Sequence, residues 1–348
     1  MRKIFKLGEL FCGPGGIALG AIKSKFEDQE SVYTITPTWS SDYDLKTCET
    51  YARNIHGKPL SKALDSVFHA DIRKLDIPRL PKCDFFAFGF PCNDFSIVGE
   101  SKGLDGEFGP LYSYGVKYLR EHQPQCFIAE NVGGLSSSNG GKALALITKE
   151  LKDSGYFLTT NLYKFEDYGV PQARHRLIIV GFRNDLNLTF KVPRPTHVNN
   201  HVTSYEAISY PPLTSKSLNH DFAIQSKVVV ERLKYIKPGD NAWSEDIPKS
   251  LRLNVKGARL SNIYKRLDPN RTSYTVTGSG GGGTSMYHWS EHRALTNRER
   301  ARLQTFPDDF EFYGGSGSVR KQIGMAVPPL GAKIIFEAIL KTMAGKDY

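Results

Sequence analysis

The sequence predicts an α/β fold, a mostly parallel sheet with helices on both faces, extended by a smaller irregular domain. Three observations predict it. Short apolar runs alternate with helical patterns through about the first half of the chain. A glycine-rich turn, Gly13-Pro14-Gly15-Gly16, divides the first apolar run from the first helical pattern. After Arg183 the periodicity weakens and prolines gather, at Pro193, Pro195, Pro211, Pro212, Pro238, Pro248 and Pro269.

In chain order, strands are expected at Lys3–Phe11, Thr34–Trp39, Ser66–Ala70, Cys83–Phe88, Gln125–Glu130, Tyr156–Phe165 and Leu177–Phe182. Each is an apolar run of strand length bounded by turn residues. Helical patterns fall between them at Ile17–Phe26, Leu45–Ile55, Leu111–Glu121 and Lys142–Asp153. Strand and helix in alternation imply βαβ units, and such sheets bind ligands beyond the carboxyl ends of their strands. Residues 1–185 are therefore expected to form a catalytic and cofactor-binding domain, and 186–280 a small second domain. Residues 281–348 form a C-terminal segment. Gly278-Ser279-Gly280-Gly281-Gly282-Gly283 reads as a hinge or a close approach to a ligand. A helix starts near Thr296 or Asn297, either of which can cap it, and a last helix covers about Leu330–Met343.

The bulk properties narrow the function. The chain has 348 residues, 40% of them hydrophobic, enough for about two domains. Its formal charge is +10, and residues 183–272 alone carry fifteen Lys/Arg against eight Asp/Glu. That local excess of +7 points to a polyanionic partner. The five cysteines, Cys12, Cys48, Cys83, Cys92 and Cys126, include no C-x-x-C spacing. Neither a disulfide framework nor a metal site is indicated, and reduced thiols imply a reducing compartment. No apolar leader or membrane-length stretch is read, so a cytoplasmic protein that does not meet the membrane is expected.

Several residues are placed for chemistry. Gly89-Phe90-Pro91-Cys92 follows a buried strand, so the Cys92 thiol stands at a strand tip, where a nucleophile is accessible. The first turn has the pattern G-x-G-G, not the full dinucleotide fingerprint. Asp42 follows the second strand, placed to accept from a ribose diol. Asp71 follows the third, placed to accept from an adenine amine. Three ligand-like features at three successive strand ends favour a nucleoside cofactor.

Five motifs in order complete the pattern. They are Phe11-Cys12-Gly13-Pro14-Gly15-Gly16, Gly89-Phe90-Pro91-Cys92, Glu130-Asn131-Val132, Gln172-Ala173-Arg174-His175-Arg176 and Gly324-Met325-Ala326-Val327-Pro328. With Leu295–Phe310 they resemble the DNA cytosine C5 methyltransferases, over nearly the whole chain except about residues 190–265. The resemblance implies a Rossmann-like methyltransferase fold and the cofactor S-adenosyl-L-methionine. It implies a last helix that returns to the large domain. It also implies double-stranded DNA as substrate, with the target cytosine flipped out. The family's reaction needs a thiolate at C6 of the base, because cytosine C5 alone is a poor nucleophile. Cys92 is the candidate nucleophile, and Glu130 the candidate proton source for N3. Asn131 completes the Glu130 motif. Arg174 and Arg176, two apart, are expected to face one side and hold the target nucleotide and Glu130.

By the same resemblance, Phe11, Gly13, Pro14, Gly16 and Asp42 hold the cofactor at the first two strand ends. Tyr43, Asp71 and Ile72 surround its adenine. Gly89, Pro91 and Leu111 line its methionine end, closed by Met325 and Ala326. Ser204, Tyr205, Arg252, Lys256 and Arg259 are candidate DNA contacts. Three departures stand out: Asn93 where the family more often has Gln, Asp94 beside it, and Met325 where Asn is commoner. The size fits a stand-alone prokaryotic or phage modification enzyme. It is expected to act as a monomer and to be paired with an independent restriction endonuclease. A tRNA cytosine methyltransferase, a catalytically dead DNA-binding relative and a nicotinamide oxidoreductase are the alternatives.

Overall fold

The computed structural model describes residues 1–90, 111–136, 141–254, 260–278 and 285–348. Cys92 and Pro91, and with them Asn93 and Asp94, lie outside the described residues, as do Lys256 and Arg259. The described chain divides into two compact units. The first comprises Met1–Phe165, His175–Pro195 and Val327–Tyr348. The second comprises Glu166–Arg174 and Thr196–Ala326, so it runs well past the residue 280 expected for the small domain.

The first unit is built on one sheet. Its strands are β1 (Arg2–Leu10), β2 (Lys25–Glu27), β3 (Val32–Asp42), β4 (Val67–His69), β5 (Phe85–Gly89), β6 (Cys126–Val132), β7 (Tyr156–Lys164) and β9 (His175–Arg183). The order is β2-β3-β1-β5-β6-β9-β7, with β4 beside β3. β4, β3, β1, β5 and β6 pair in parallel. β9 then runs antiparallel to both β6 and β7, which the sequence pattern did not foretell. β2 is a second addition, since its residues were read as the end of the first helix. That helix, α1, stops at Lys23 (Gly16–Lys23).

The other helices of this unit form where the amphipathic pattern placed them. α2 (Leu45–Ile55) is started by Asp44, whose carboxylate accepts from the Thr47 amide at 2.8 Å. α3 (Tyr112–His122) and α4 (Lys142–Asp153) bury Val116, Leu119, Ile147 and Leu151 in one core cluster with Trp39, Phe86, Phe88 and Phe127 of the sheet. A second cluster joins Cys12, Ala18, Cys48, Tyr51 and Val67. The last helix, α9 (Pro329–Met343), starts on a proline and packs against α1. Parallel strands covered by helices need apolar side chains on both faces, which is why β5 reads Phe-Phe-Ala-Phe.

The second unit has little regular structure. It holds the short parallel pair β8 (Gln172–Ala173) and β10 (Ser273–Tyr274). Its helices are α5 (Ser204–Ser209), α6 (Lys227–Leu233), α7 (Asn297–Leu303) and α8 (Ser316–Met325). Thr296 caps α7 in a reciprocal box with Glu299. Leu233, Ile236, Ile247, Tyr264 and Tyr287 form a core of its own. By composition, Ser316–Met343 is long and apolar enough to cross a membrane, which the sequence reading did not register. The structure breaks it into α8 and α9 at Ala326-Val327-Pro328, and 72% of its apolar 18-residue window is buried.

Candidate functional site

The strand ends of the first unit gather most of the expected cofactor residues. After β1 the chain turns through left-handed backbone at Phe11 (φ 55°) and Gly13 (φ 56°). A side chain at Gly13 would meet nothing within 4 Å, so this backbone faces open space. The turn is fixed from β3. Asp42 accepts from the Gly13 amide at 3.0 Å with one carboxylate oxygen and from the Asp44 amide at 3.0 Å with the other. Burial pushes the Asp42 carboxyl up, against the lowering effect of these amides. Gly16 opens α1, and a Cβ there would lie 2.1 Å from the Val327 carbonyl oxygen. Only glycine allows that approach.

The adenine-side candidates differ in their surroundings. Tyr43 is 59% exposed, available as a flat surface. Asp71 caps a short helical turn and grips Arg73 through both oxygens, at 2.7–3.1 Å. These bonds to Arg73 hold its carboxyl low, at about 2. Ile72 and Leu111 are buried in the core cluster beside Leu10 and Phe90. Pro14 lies in the first turn, between Gly13 and Gly15.

The next strand ends carry the proposed bond-making groups. In the parallel register, Gly89 of β5 sits beside Glu130 of β6. A Cβ on Gly89 would come within 3.1 Å of Glu130 Oε2. Glu130 Oε1 meets Arg176 Nε at 2.9 Å, with both side chains largely buried. Antiparallel pairing brings Arg176 there, opposite Val132. Asn131, 3% exposed, donates to the Phe90 carbonyl at 3.3 Å and accepts from the Val132 amide at 2.8 Å. It therefore holds the residue from which the chain leads into Pro91-Cys92.

Arg174 corrects the sequence reading. It was expected beside Arg176, facing the nucleotide. It lies in the second unit, 1% exposed, and donates to the carbonyls of Val276 (3.0 Å), Gly324 (3.0 Å) and Ala326 (2.9 Å). Alternation along a strand does not carry across residue 174, because β9 begins only at His175. Met325 is 59% exposed at the end of α8, whereas Ala326 is buried.

The DNA-contact candidates differ in their surroundings. Ser204 is buried and donates to the Arg271 carbonyl. Arg252 gives its guanidinium to the carbonyls of Ile247 and Glu245. Tyr205 remains exposed, edge-on to Tyr210.

The sequence reading missed Glu9. It lies 1% exposed on β1, accepting from the Tyr51 hydroxyl at 2.6 Å, and burial pushes its carboxyl up to about 8. The signal was an acid inside an otherwise apolar strand, Leu7-Gly8-Glu9-Leu10-Phe11. Among the described residues no cluster of His, Cys, Asp and Glu could hold a metal ion.

A family model described as C-5 cytosine-specific DNA methylase matches residues 5–341. Among curated proteins, the type II methyltransferase M.BbvI of Brevibacillus brevis is 57% identical over 99% of this chain and 93% of its own length. The type II methyltransferase M.NgoFVII of Neisseria gonorrhoeae is 39% identical over 96% and 86%. The DNA (cytosine-5-)-methyltransferase M.ApeKI of Aeropyrum pernix is 29% identical over 96% and 98%. Among solved structures, a putative DNA modification methyltransferase from an E. coli prophage superposes with a TM-score of 0.74. It is 21% identical, covering 97% of this chain and 99% of that one. The S. pombe Dnmt2 methyltransferase gives 0.64 at 15% identity, covering 98% and 99%. These two likenesses bear on the fold.

Proposed function

The chain belongs to the C-5 cytosine-specific DNA methylases of restriction-modification systems, and from that premise we propose how its residues methylate cytosine in DNA. S-adenosyl-L-methionine supplies the methyl group. The residues at the first strand ends fit such a group. Gly13 presents open backbone, Tyr43 an exposed ring, and Asp42 a carboxylate anchored beside the turn. With Phe11, Pro14, Gly16, Asp71, Ile72, Gly89, Pro91 and Leu111 they would hold it, and Met325 and Ala326 are candidates by the resemblance alone.

Cys92 is the nucleophile in this reading. Its thiolate forms a bond to C6 of the cytosine, and the ring electrons move toward C5 and N3. Glu130 delivers a proton to N3, so no anion builds up on the ring. Once C5 has taken the methyl group, the N3 proton returns to Glu130, the C5 proton leaves to a base, the C6–S bond breaks and the thiolate returns. Arg176 holds Glu130 in place, and Asn131 holds the chain entering Cys92. A duplex hides C6 from any thiol, so the base must be flipped out.

The observation that carries the reading is the Glu130–Arg176 pair, 2.9 Å apart at the strand end next to Gly89. In sequence, Gly89 comes three residues before Cys92, the cysteine that the family's chemistry requires. Residues 186–280 supply the target choice in this proposal. The protein works in the bacterial or phage-infected cytoplasm, beside an endonuclease that acts independently, and as a monomer.

The test is direct. Bisulfite sequencing of DNA from cells expressing the protein should show one methylated sequence context. Duplex carrying 5-fluorocytosine there should trap an adduct on Cys92, and Cys92→Ser should form none. An adduct on another cysteine, or methylation of tRNA in preference to DNA, would refute the proposal.

A further inference from the structure

The chain passes between its units at four points, after Phe165, Arg174, Pro195 and Ala326. Within the second unit, the ends at these crossings are bonded to one another. Glu166 accepts from the Arg174 amide at 3.2 Å. The Asp167 carbonyl accepts from the amides of Thr196 (3.0 Å) and His197 (2.8 Å). The Arg174 guanidinium reaches the carbonyls of Gly324 and Ala326 as well as Val276.

Two buried glutamines extend this lock. Gln172 donates to the Leu303 carbonyl at 2.9 Å and to Gln304 Oε1 at 2.7 Å, and accepts from the Val276 amide at 2.9 Å. Gln304 donates to the carbonyls of Ile323 (2.6 Å) and Ala326 (3.3 Å). Gln172 and Gln304 are 0% exposed and Arg174 1%. The backbones they hold are in close contact: a Cβ on Gly324 would lie 2.0 Å from the Gly278 nitrogen. A buried guanidinium is stable only while its donors are used. Swinging Arg174 out to a nucleotide would take this donor from the Val276 and Gly324 carbonyls and leave Ala326 only the longer bond from Gln304.

We propose that Arg174 is a positioning residue: with Gln172 and Gln304 it locks the chain at the start of β9, so that Arg176 meets Glu130 in a fixed geometry. The inference rests on the reading of Arg176 and Glu130 given above. One residue, His175, separates Arg174 from Arg176, so the lock bears on the pair through the first residues of β9, which Lys164, Tyr163 and Val132 pair along the sheet. Misplacement by about 1 Å can cost on the order of a hundredfold in rate.

The experiment is a kinetic double-mutant cycle on the full chain with S-adenosylmethionine and cognate duplex. Arg174→Lys and Gln304→Met should each lower the single-turnover rate about tenfold, with cofactor and DNA Kd within about threefold. The double variant should be no slower than the worse single one, because both break the same lock. Arg174→Met should lose more than Arg174→Lys, the lysine restoring part of the carbonyl bonding. If Gln304→Met does not fold, Gln172→Glu, which keeps the acceptor for Val276, replaces it. Additive losses, or a silent Gln304→Met beside a slow Arg174→Lys, would show Arg174 acting on the nucleotide and overturn the proposal. Rate loss that merely follows lower Tm and weaker binding of both ligands would overturn it too. Glu130→Gln is run in parallel: normal turnover there would refute the underlying reading instead of the lock.

Discussion

In the first unit, β1, β3, β5, β6 and β9 match backbone carbonyls against amides along the sheet, with one register shift between β1 and β3 at Leu7/Gly8. In the second, arginine side chains take over much of that task. Arg266 donates to the carbonyls of Leu233, His288 and Trp289. Arg298 donates to those of Leu218, Pro307 and Phe310. Arg232, Arg300 and Arg302 each reach at least one more. All five are buried. Every buried carbonyl must find a donor, and a chain without long ladders must draw it from side chains. Guanidinium, with five donors in a rigid fork, suits that task.

The difference changes how the charge of the chain is read. The +7 excess over residues 183–272 pointed to DNA. Part of it is structural, since Arg232 and Arg266 are inside the fold. Lys234, Lys237 and Arg271 face Glu231, Asp246 and Asp268. The basic surface left for phosphates is smaller than the count implied.

The proposed chemistry belongs to the first unit, and the largest expected effect tests that. Glu130→Gln keeps the shape of the side chain but carries no exchangeable carboxyl proton. The rate of methyl transfer should fall on the order of 10²–10⁴-fold, with the methylated sequence unchanged in bisulfite reads. A loss below about tenfold would make Glu130 a structural partner of Arg176 and remove the division of labour.

Next in size is the contribution of the buried arginines. Arg266→Met takes this donor from the His288 and Trp289 carbonyls, while that of Leu233 keeps the Ile236 amide. Unmatched buried acceptors cost about 1–3 kcal/mol each, so the second unit should loosen. Hydrogen exchange should rise across residues 196–326 while the sheet of the first unit stays protected. Equal loss of protection in both units would mean that they do not differ in the way described.

Much of this was legible in the sequence. α2 and α4 begin and end where their amphipathic patterns do, and Thr296 caps α7 as its position before Glu299 suggests. The antiparallel pairing of β6, β9 and β7 was not, because an apolar run looks alike in either direction. α8 escaped notice since Ser316–Met325 carries two glycines and no strong apolar stripe. Within the site, Glu130 and Arg176 could be read from their motifs, and the structure brings them together. Arg174 could not, because two-residue spacing fixes a common side only along one continuous strand.

A smaller effect separates the units by pH. Glu9 belongs to the sheet, and its carboxyl is raised from 4.5 to about 8 by burial beside Tyr51. The folded state thus binds a proton that the unfolded chain has lost at neutral pH. Its contribution is complete below about 4.5 and disappears as the pH rises through 8. The wild type should lose stability of order a few kcal/mol between pH 5 and 9 from this group. Glu9→Gln, which cannot ionise, should flatten that slope in denaturant titrations. An unchanged slope would place the pH dependence elsewhere, with Asp42 the next group to test.

The smallest effect bears on which charges reach DNA. Lys216 and Lys249 are exposed on the second unit, whereas Arg232 is buried and donates to the Leu251 carbonyl. A cation on a phosphate releases a counterion when DNA binds, so each such contact adds about 0.9 to the slope of log K against log salt. Lys249→Ala or Lys216→Ala should reduce that slope by about one if the lysine meets a phosphate, weakening all sequences alike. Arg232→Met removes the same formal charge from the same unit. Because that charge is enclosed in protein in both free and bound states, the slope should not move, while the thermal stability of the second unit should fall. Filter binding or fluorescence anisotropy at four salt concentrations distinguishes the two cases. If Arg232→Met lowers the slope as much as a surface lysine does, its guanidinium must leave Leu251 on binding, and buried arginines would count as DNA contacts after all.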